Sequence, residues 1–168
     1  FVESRSSENS VKRSWYIWHD GRKGNPPNNW KSAFGGSAWE FDARTGQYYL
    51  HSFLKEQPDL NWRNPDMRRA IYKMMRFWLD RGVDGFRLDV VNWFVKDDRF
   101  RSNPFTIKPF DPEKHKYDRN RPEVHEYIRE LRAVMDEYRD RMTVGEIFSL
   151  PPGNPGLSAS FLGNGTDE

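Results

Sequence analysis

Two stretches of the chain carry apolar residues at helical spacing. In the first, Met67, Ile71, Met74, Met75 and Trp78 recur every three or four residues, which is the spacing of one helix face. Asn64 is placed to cap this helix, Pro65 suits its first position and Asp66 complements its dipole. Gly82 stops it, so a helix is predicted over residues 65–81. In the second stretch Val124, Tyr127, Ile128, Leu131, Val134, Met135 and Tyr138 form one apolar stripe opposite Glu, Arg and Asp. That helix starts near Pro122. A short apolar run follows each helix, at about 85–90 and at 142–148, and each reads as a buried strand. Ahead of them, residues 1–55 are irregular, with Pro26 and Pro27, Gly35 and Gly36, and many Asn and Ser, all turn formers. Within them the aromatic-rich runs 38–42 and 47–53 flank Ala-Arg-Thr-Gly and predict a β-hairpin. Residues 92–121 are again irregular and charged. After Pro151 the Gly, Pro, Asn and Ser predict a loose tail.

The order is thus excursion, helix, strand, helix, strand. Strand–helix–strand with short apolar strands predicts an α/β fold with parallel pairing and a right-handed crossover. Two parallel strands need neighbours on both edges and cover on both faces. The chain therefore reads as a slice of a larger barrel or sheet, beginning and ending abruptly.

Composition narrows the function. The 27 basic and 25 acidic side chains leave a net charge of +2, interleaved along the chain, which argues against a nucleic-acid partner. No apolar run is long enough to span a bilayer, and the first residues do not form a signal peptide. With no cysteine there is no disulfide framework and no thiolate chemistry. A cytoplasmic enzyme fits, although cysteine-free secreted proteins exist. The four His (19, 51, 115 and 125) lack metal-ligand spacing and read as surface or hydrogen-bonding residues. Met67, Met74 and Met75 read as core. Asn164-Gly-Thr matches a glycosylation pattern. Aromatics reach 15 % of the chain, with seven Trp and seven Tyr, many beside Asn, Asp, Gln and Arg. Such mixed surfaces suit sugars or nucleobases, and ordinary packing uses them too.

The chemistry rests on two carboxylates. In the run GVDGFRLDVV (82–91), Gly85, Arg87 and Asp89 share one strand face and Phe86, Leu88 and Val90 the other, since side chains alternate. In MTVGEIF (142–148), Val144 and Glu146 share a face. Asp89 and Glu146 both sit at C-terminal strand ends, where parallel α/β folds build active sites. A retaining glycosidase needs a carboxylate nucleophile and a protonated carboxyl roughly 5–5.5 Å apart. Arg87 would hold Asp89 ionised and aimed. Glu146, with Val144 beneath it and no basic neighbour in its own strand, is expected in a more apolar setting that raises its pKa toward the acid role. An Arg–Asp pair at a strand end is also what an ordinary ion pair looks like, and spacing alone leaves both readings open.

QPDLNW (57–62), GFRLDVV (85–91) and VGEIF (144–148) together resemble the α-amylase superfamily, glycoside hydrolase family thirteen. Within it they are most similar to the α-glucosidases and oligo-1,6-glucosidases, and QPDLN is characteristic of the oligo-1,6-glucosidase subgroup. The resemblance covers nearly the whole chain. It implies a partial (β/α)8 TIM barrel, about strands four and five with helices three and four. It implies that Asp89 is the nucleophile, Glu146 the general acid/base and Arg87 the nucleophile's partner. Residues 1–61 become a domain-B excursion walling the sugar pocket, with Phe34, Phe53 and Gln57 in that wall. Residues 62–150 become the catalytic barrel segment, and 151–168 a loop or tail. The implied substrate is a small α-glucoside or oligosaccharide, with no cofactor and no metal, since the family's usual calcium loop is not in this sequence.

The departures carry expectations of their own. The family's early Asp motif with its Asn-His pair and its late Asn-His-Asp are missing. The remainder of the barrel is thus an implied partner, and the chain alone is expected to be inactive and prone to associate through open strand edges. In the resembled group, Val after the nucleophile goes with α-1,6 bonds and Thr with α-1,4 bonds. Val90 favours α-1,6, whereas the segment KHKYDRNRPE (114–123) looks more like the broader bacterial α-glucosidases. Transglycosylases and isomerases, such as trehalose synthase or sucrose isomerase, share the covalent intermediate. A non-catalytic transporter heavy chain shares the barrel but loses catalytic residues, and Arg87, Asp89 and Glu146 all stand here.

Overall fold

The Asn64 side chain accepts the amides of Asp66 at 2.8 Å and Met67 at 3.0 Å, and Pro65 opens helix α1 (Pro65–Leu79). In the computed structural model, which describes residues 1–107, 111–148 and 155–162, this cap is the one the sequence predicts. The helix ends two residues earlier than expected. Gly82, at φ +87°, donates to the Leu79 carbonyl at 3.0 Å, a reversal that favours glycine. Met67, Met75 and Leu79 are buried, but Met74 and Trp78 remain 42 % and 45 % exposed. The apolar stripe is therefore wider than the face it buries against the described residues.

Helix α2 (Val124–Met135) buries Val124, Tyr127, Leu131, Val134 and Met135. With Trp62, Val95 and the buried face of α1 they form the main core. Polar contacts clip the two helices together at their rims. Arg68 Nε donates to Glu130 at 2.8 Å, the Tyr72 hydroxyl donates to the same carboxylate, and Arg76 Nε donates to Glu137 at 2.7 Å.

Strands β4 (Gly85–Leu88) and β5 (Met142–Gly145) pair in parallel, with Gly85 opposite Met142 and Leu88 opposite Gly145. Helix α2 lies between them in sequence, giving the expected strand–helix–strand unit. A Cβ on Gly85 would sit 1.8 Å from the Met142 carbonyl oxygen, so only glycine permits this approach. Both strands are shorter than expected. Strand β4 stops before Asp89 because Val90 turns left-handed, and β5 stops at Gly145.

The excursion carries the hairpin, β2 (Trp39–Asp42) with β3 (Gln47–Leu50), Trp39 facing Leu50 and Asp42 facing Gln47. A third strand, β1 (Trp18–His19), pairs antiparallel with the other edge of β3. Two residues are too few to show a period, so the sequence predicts a hairpin where the fold has a three-stranded sheet. Trp30, Ala38, Trp39, Tyr48 and Leu50 bury into a second core, and Phe100 from the loop after β4 packs on it. That loop ties the excursion to the strand–helix–strand unit. Asn29 and Asn103 reinforce the tie: Asn29 Nδ2 donates to the Asn103 carbonyl at 2.9 Å and Asn29 Oδ1 accepts the Asn103 amide at 2.8 Å.

Part of the expected loose tail is a short helix, α3 (Pro155–Ser160). Phe161 behind it rests on the His125 ring at 4.6 Å, an aromatic anchor that a Gly- and Pro-rich composition conceals. The remaining tail, including the Asn164 tripeptide, lies outside the described residues. Among the described residues no helix is long and apolar enough to cross a membrane.

Candidate active site

Arg87, in the middle of β4, joins the two carboxylates. Its Nη1 donates to Asp89 Oδ1 at 2.6 Å and its Nη2 to Glu146 Oε2 at 2.6 Å. The two oxygens are thus separated by no more than two hydrogen bonds and the width of one guanidinium, which is compatible with the roughly 5–5.5 Å of a retaining pair. The bond to Asp89 and then the charge of Glu146 raise the Arg87 pKa beyond its ordinary value. The expected apolar setting of Glu146 is not found. Its own strand offers no cation, but the neighbouring strand does, because parallel pairing sets Arg87 opposite Val144 and the long arginine reaches the next carboxylate. Spacing within one strand could not reveal this.

The backbone sets Asp89 apart from the strand. Glu146 donates its amide to the Leu88 carbonyl at 2.9 Å, and its own carbonyl accepts the Val91 amide at 3.0 Å. A regular parallel ladder would use the Val90 amide. One extra residue is therefore inserted, with Val90 at φ +43°, ψ +55°, and a bulge of this kind re-aims the neighbouring side chain. Asp89 sits just beyond β4 rather than within it, yet it keeps the Arg87 side of the sheet.

A cavity of about 540 Å³ opens over these groups. Arg87, Asp89 and Glu146 line it with Phe34, Phe53, Gln57 and Val90, so all seven residues singled out in the sequence converge. Phe34 stands exposed at the rim and meets Phe53 edge-on at 6.1 Å; Phe53 stacks on Trp93 at 5.2 Å, and Trp93 meets Phe148 at 5.8 Å. Gln57 Oε1 accepts the Leu54 amide at 3.3 Å and its own backbone amide donates to the Leu54 carbonyl at 2.8 Å, closing a tight turn at the cavity edge. The aromatic chain offers flat apolar faces, and the charged trio offers two carboxylates and a cation.

Seven further lining residues are not singled out as site residues in the sequence, among them Trp93, Phe148, His115 and Arg119. Arg119 lies 3.7 Å over the Trp93 ring and pairs with Asp118 at 3.3 Å; His115 Nδ1 is 3.0 Å from Asp118. Burial lowers the Arg119 pKa against the pull of Asp118. Burial raises the Asp118 carboxyl, but His115 and Arg119 more than reverse this and leave it below its ordinary value. Residues 115–119 reach the cavity through an irregular loop, where no period carries a signal. Trp93 had one signal available, an aromatic side chain one short turn past Asp89. Among the described residues no three His, Cys, Asp or Glu side chains are placed to hold a metal ion.

The family model for the α-amylase catalytic domain matches residues 1–153. The chain belongs to the α-amylase family. A probable α-glucosidase of Rhizobium meliloti (strain 1021) is 48 % identical over 160 residues, covering 88 % of this chain and 29 % of that protein. An oligo-1,6-glucosidase of Parageobacillus thermoglucosidasius is 49 % identical over 157 residues, covering 90 % and 27 %. A crystal structure of an isomaltulose synthase mutant from Erwinia rhapontici NX5, in complex with sucrose, is 45 % identical with a TM-score of 0.79, covering 90 % and 26 %. The chain thus spans little more than a quarter of the length of these α-amylase relatives. Family membership gives the fold class as the (β/α)8 barrel, of which β4, α2 and β5 form one strand–helix–strand unit.

Proposed function

We propose that this chain is the part of a retaining α-glucosidase that supplies its nucleophile and its general acid/base. The carrying observation is the single guanidinium of Arg87 bonded to both Asp89 and Glu146 at the mouth of an aromatic cavity. In this reading Asp89 attacks the anomeric carbon as the glycosidic C–O bond breaks, and Glu146 gives its proton to the leaving oxygen. Glu146 then takes a proton from water, the water oxygen bonds to the same carbon, and Asp89 leaves. Arg87 holds the nucleophile in place through its 2.6 Å bond to Asp89 Oδ1.

The domain reading follows. Residues 1–61 wall the sugar pocket through Phe34, Phe53 and Gln57, residues 62–150 form the barrel segment, and 151–168 follow it. Strands β4 and β5 correspond to the fourth and fifth barrel strands, and α1 and α2 to the third and fourth helices. The rest of a barrel supplies the sugar-gripping groups that this sequence does not contain. The substrate is a small α-glucoside, and Val90 on the cavity wall supports α-1,6 ahead of α-1,4 bonds. Likeness to the isomaltulose synthase supports a second reading, transfer within the pocket instead of hydrolysis. Incubation with sucrose separates them: glucose and fructose mean hydrolysis, and an isomeric disaccharide means transfer.

The test is to treat the intact protein with 5-fluoro-α-glucosyl fluoride and map the labelled peptide by mass. A glucosyl adduct on Asp89, with α-glucose released first from isomaltose by NMR, is the expected result. An adduct elsewhere, or β-glucose as first product, removes the reading. The 168 residues assayed alone on a chromogenic α-glucoside are expected to give no turnover. Turnover near that of an intact glucosidase would mean the remaining strands are not required.

A further inference from the structure

Asn92 lies three residues after Asp89 and is fully buried. Its side-chain amide meets the backbone of Phe148 from both ends: Nδ2 donates to the Phe148 carbonyl at 2.9 Å and Oδ1 accepts the Phe148 amide at 3.1 Å. This reproduces a strand rung with a side chain as one partner. Nδ2 also donates to Asn120 Oδ1 at 2.7 Å, and the Asn120 amide donates to the Asn92 carbonyl at 2.8 Å. The paired strands themselves end at Leu88 and Gly145. Beyond them the Glu146 backbone is held on its inner side by Leu88 and Val91. On the other side of Glu146 the Phe148 backbone is held at both its amide and its carbonyl by Asn92, with Trp93 Nε1 donating to the same carbonyl at 3.4 Å.

We infer that Asn92 is a positioning residue, whose side-chain amide supplies the rung missing beyond Glu146 and so holds the Glu146 carboxyl over the leaving oxygen. The inference rests on the glycosidase reading and deepens it. Asp89 is fixed by β4 and by Arg87, so loosening Asn92 should disturb proton transfer and leave nucleophilic attack nearly intact. Proton donation matters in proportion to the basicity of the leaving group. A departing sugar hydroxyl needs the proton; fluoride leaves without it. After the first step, water needs Glu146 as base, whereas azide does not. Azide bonds to the anomeric carbon as the Asp89 ester bond breaks, and no proton has to move.

The experiment compares isomaltose with α-glucosyl fluoride in the intact protein and its Asn92→Ala variant. Isomaltose kcat is expected to fall at least about tenfold, within the range of general acid catalysis, while the fluoride loses less than about threefold once azide is added, with glucosyl azide as product. An even loss on both substrates without azide rescue overturns the inference. Failure of the unmodified protein to cleave either substrate removes the glycosidase reading itself, and the inference with it. Should Asn92→Ala not fold, Asn120→Gly decides. Asn120 is exposed at φ +56°, a conformation glycine adopts readily, and the change withdraws only one acceptor from Asn92. It should give the same split between substrates at smaller size; no loss, or an even one, overturns the proposal.

Discussion

The carbonyl of Glu146 accepts the amide of Val91 and passes over that of Val90, at 3.0 Å. This one-residue displacement is the structural signature of the site. It requires a β-branched residue in the left-handed region, a conformation that costs on the order of 1–3 kcal/mol. Val90 and Val91 are 7 % and 2 % exposed, so their burial holds the turn. The turn in turn lifts Asp89 off the strand end and sets Val90 against the cavity.

That position makes Val90 a test of linkage preference. Val90→Thr keeps the branched Cβ, and with it the turn, while adding a hydroxyl to the wall. The ratio of kcat/KM for isomaltose over maltose should fall by about tenfold, the scale of one-group discrimination in a pocket. Steady-state kinetics on the two disaccharides measures it. An unchanged ratio would remove Val90 from the specificity argument.

Arg87 binds as a fork, and a fork differs from a charge. Lysine at this position retains the positive charge but offers a single nitrogen. It cannot repeat two bonds of 2.6 Å to Asp89 and Glu146 together. Arg87→Lys should lower kcat/KM on the order of 100-fold, the scale of losing one fixed donor at a reacting centre. The fold should survive, because the two side-chain bonds of Arg87 go to Asp89 and Glu146 and not to the core. Near-normal rates in Arg87→Lys would mean that charge alone suffices.

Much of this was readable in the chain, and the failures share a cause. Helix α1 announced its start through Asn64 and Pro65, because capping is chemistry within four residues. The stripe from Val124 to Met135 announced α2, because burial on one face imposes the helical period. Strand alternation put Arg87 and Asp89 on the same side. The setting of Glu146 differs from the apolar one expected because Arg87 reaches it from the neighbouring strand, and register across strands leaves no trace within either one. Strand β1 was too short to alternate. Trp93, His115, Arg119 and Phe148 reach the cavity from irregular segments, where position is set by contacts such as Asn92 with Phe148 and not by any repeat.

The excursion and the loop after β4 are joined by a buried ion pair. Lys96 Nζ lies 2.6 Å from Asp59 Oδ2, with side-chain exposures of 4 % and 12 %. Lys96 also donates to the Trp93 carbonyl, and the Asp59 carboxylate accepts the Ser52 amide at 2.7 Å and the Ser52 hydroxyl at 2.6 Å. Lys96→Met leaves Asp59 uncompensated and should cost about 3–5 kcal/mol. Adding Asp59→Leu removes the stranded charge and should recover a large part of that loss. Urea unfolding of the two single variants and the double variant measures the coupling. Strictly additive losses would mean the pair does not act as a unit.

Acid should destabilise the fold through three carboxylates, Asp97, Asp42 and Asp118. Asp97 is fully buried and accepts from Arg101 Nε at 3.0 Å and from the Arg101 amide at 3.1 Å, while its own amide donates to Tyr117 at 2.8 Å. The Arg101 side chain holds the carboxyl below its ordinary value, outweighing burial. Burial pushes Asp42 up, and Arg5 with the Arg44 amide more than reverses it; Asp118 ends low in the same way. A folded pKa below the unfolded value of about 3.9 adds stability that is complete above that pH and drains as pH falls through the folded value. Urea midpoints should therefore hold from pH 7 to pH 5 and drop below about pH 4. Asp97→Asn should be less stable than the unmodified protein at pH 7, and the gap should close on acidification because protonation makes the two side chains alike. A gap of constant size down to pH 3 would mean that Arg101 is not responding to the charge on Asp97.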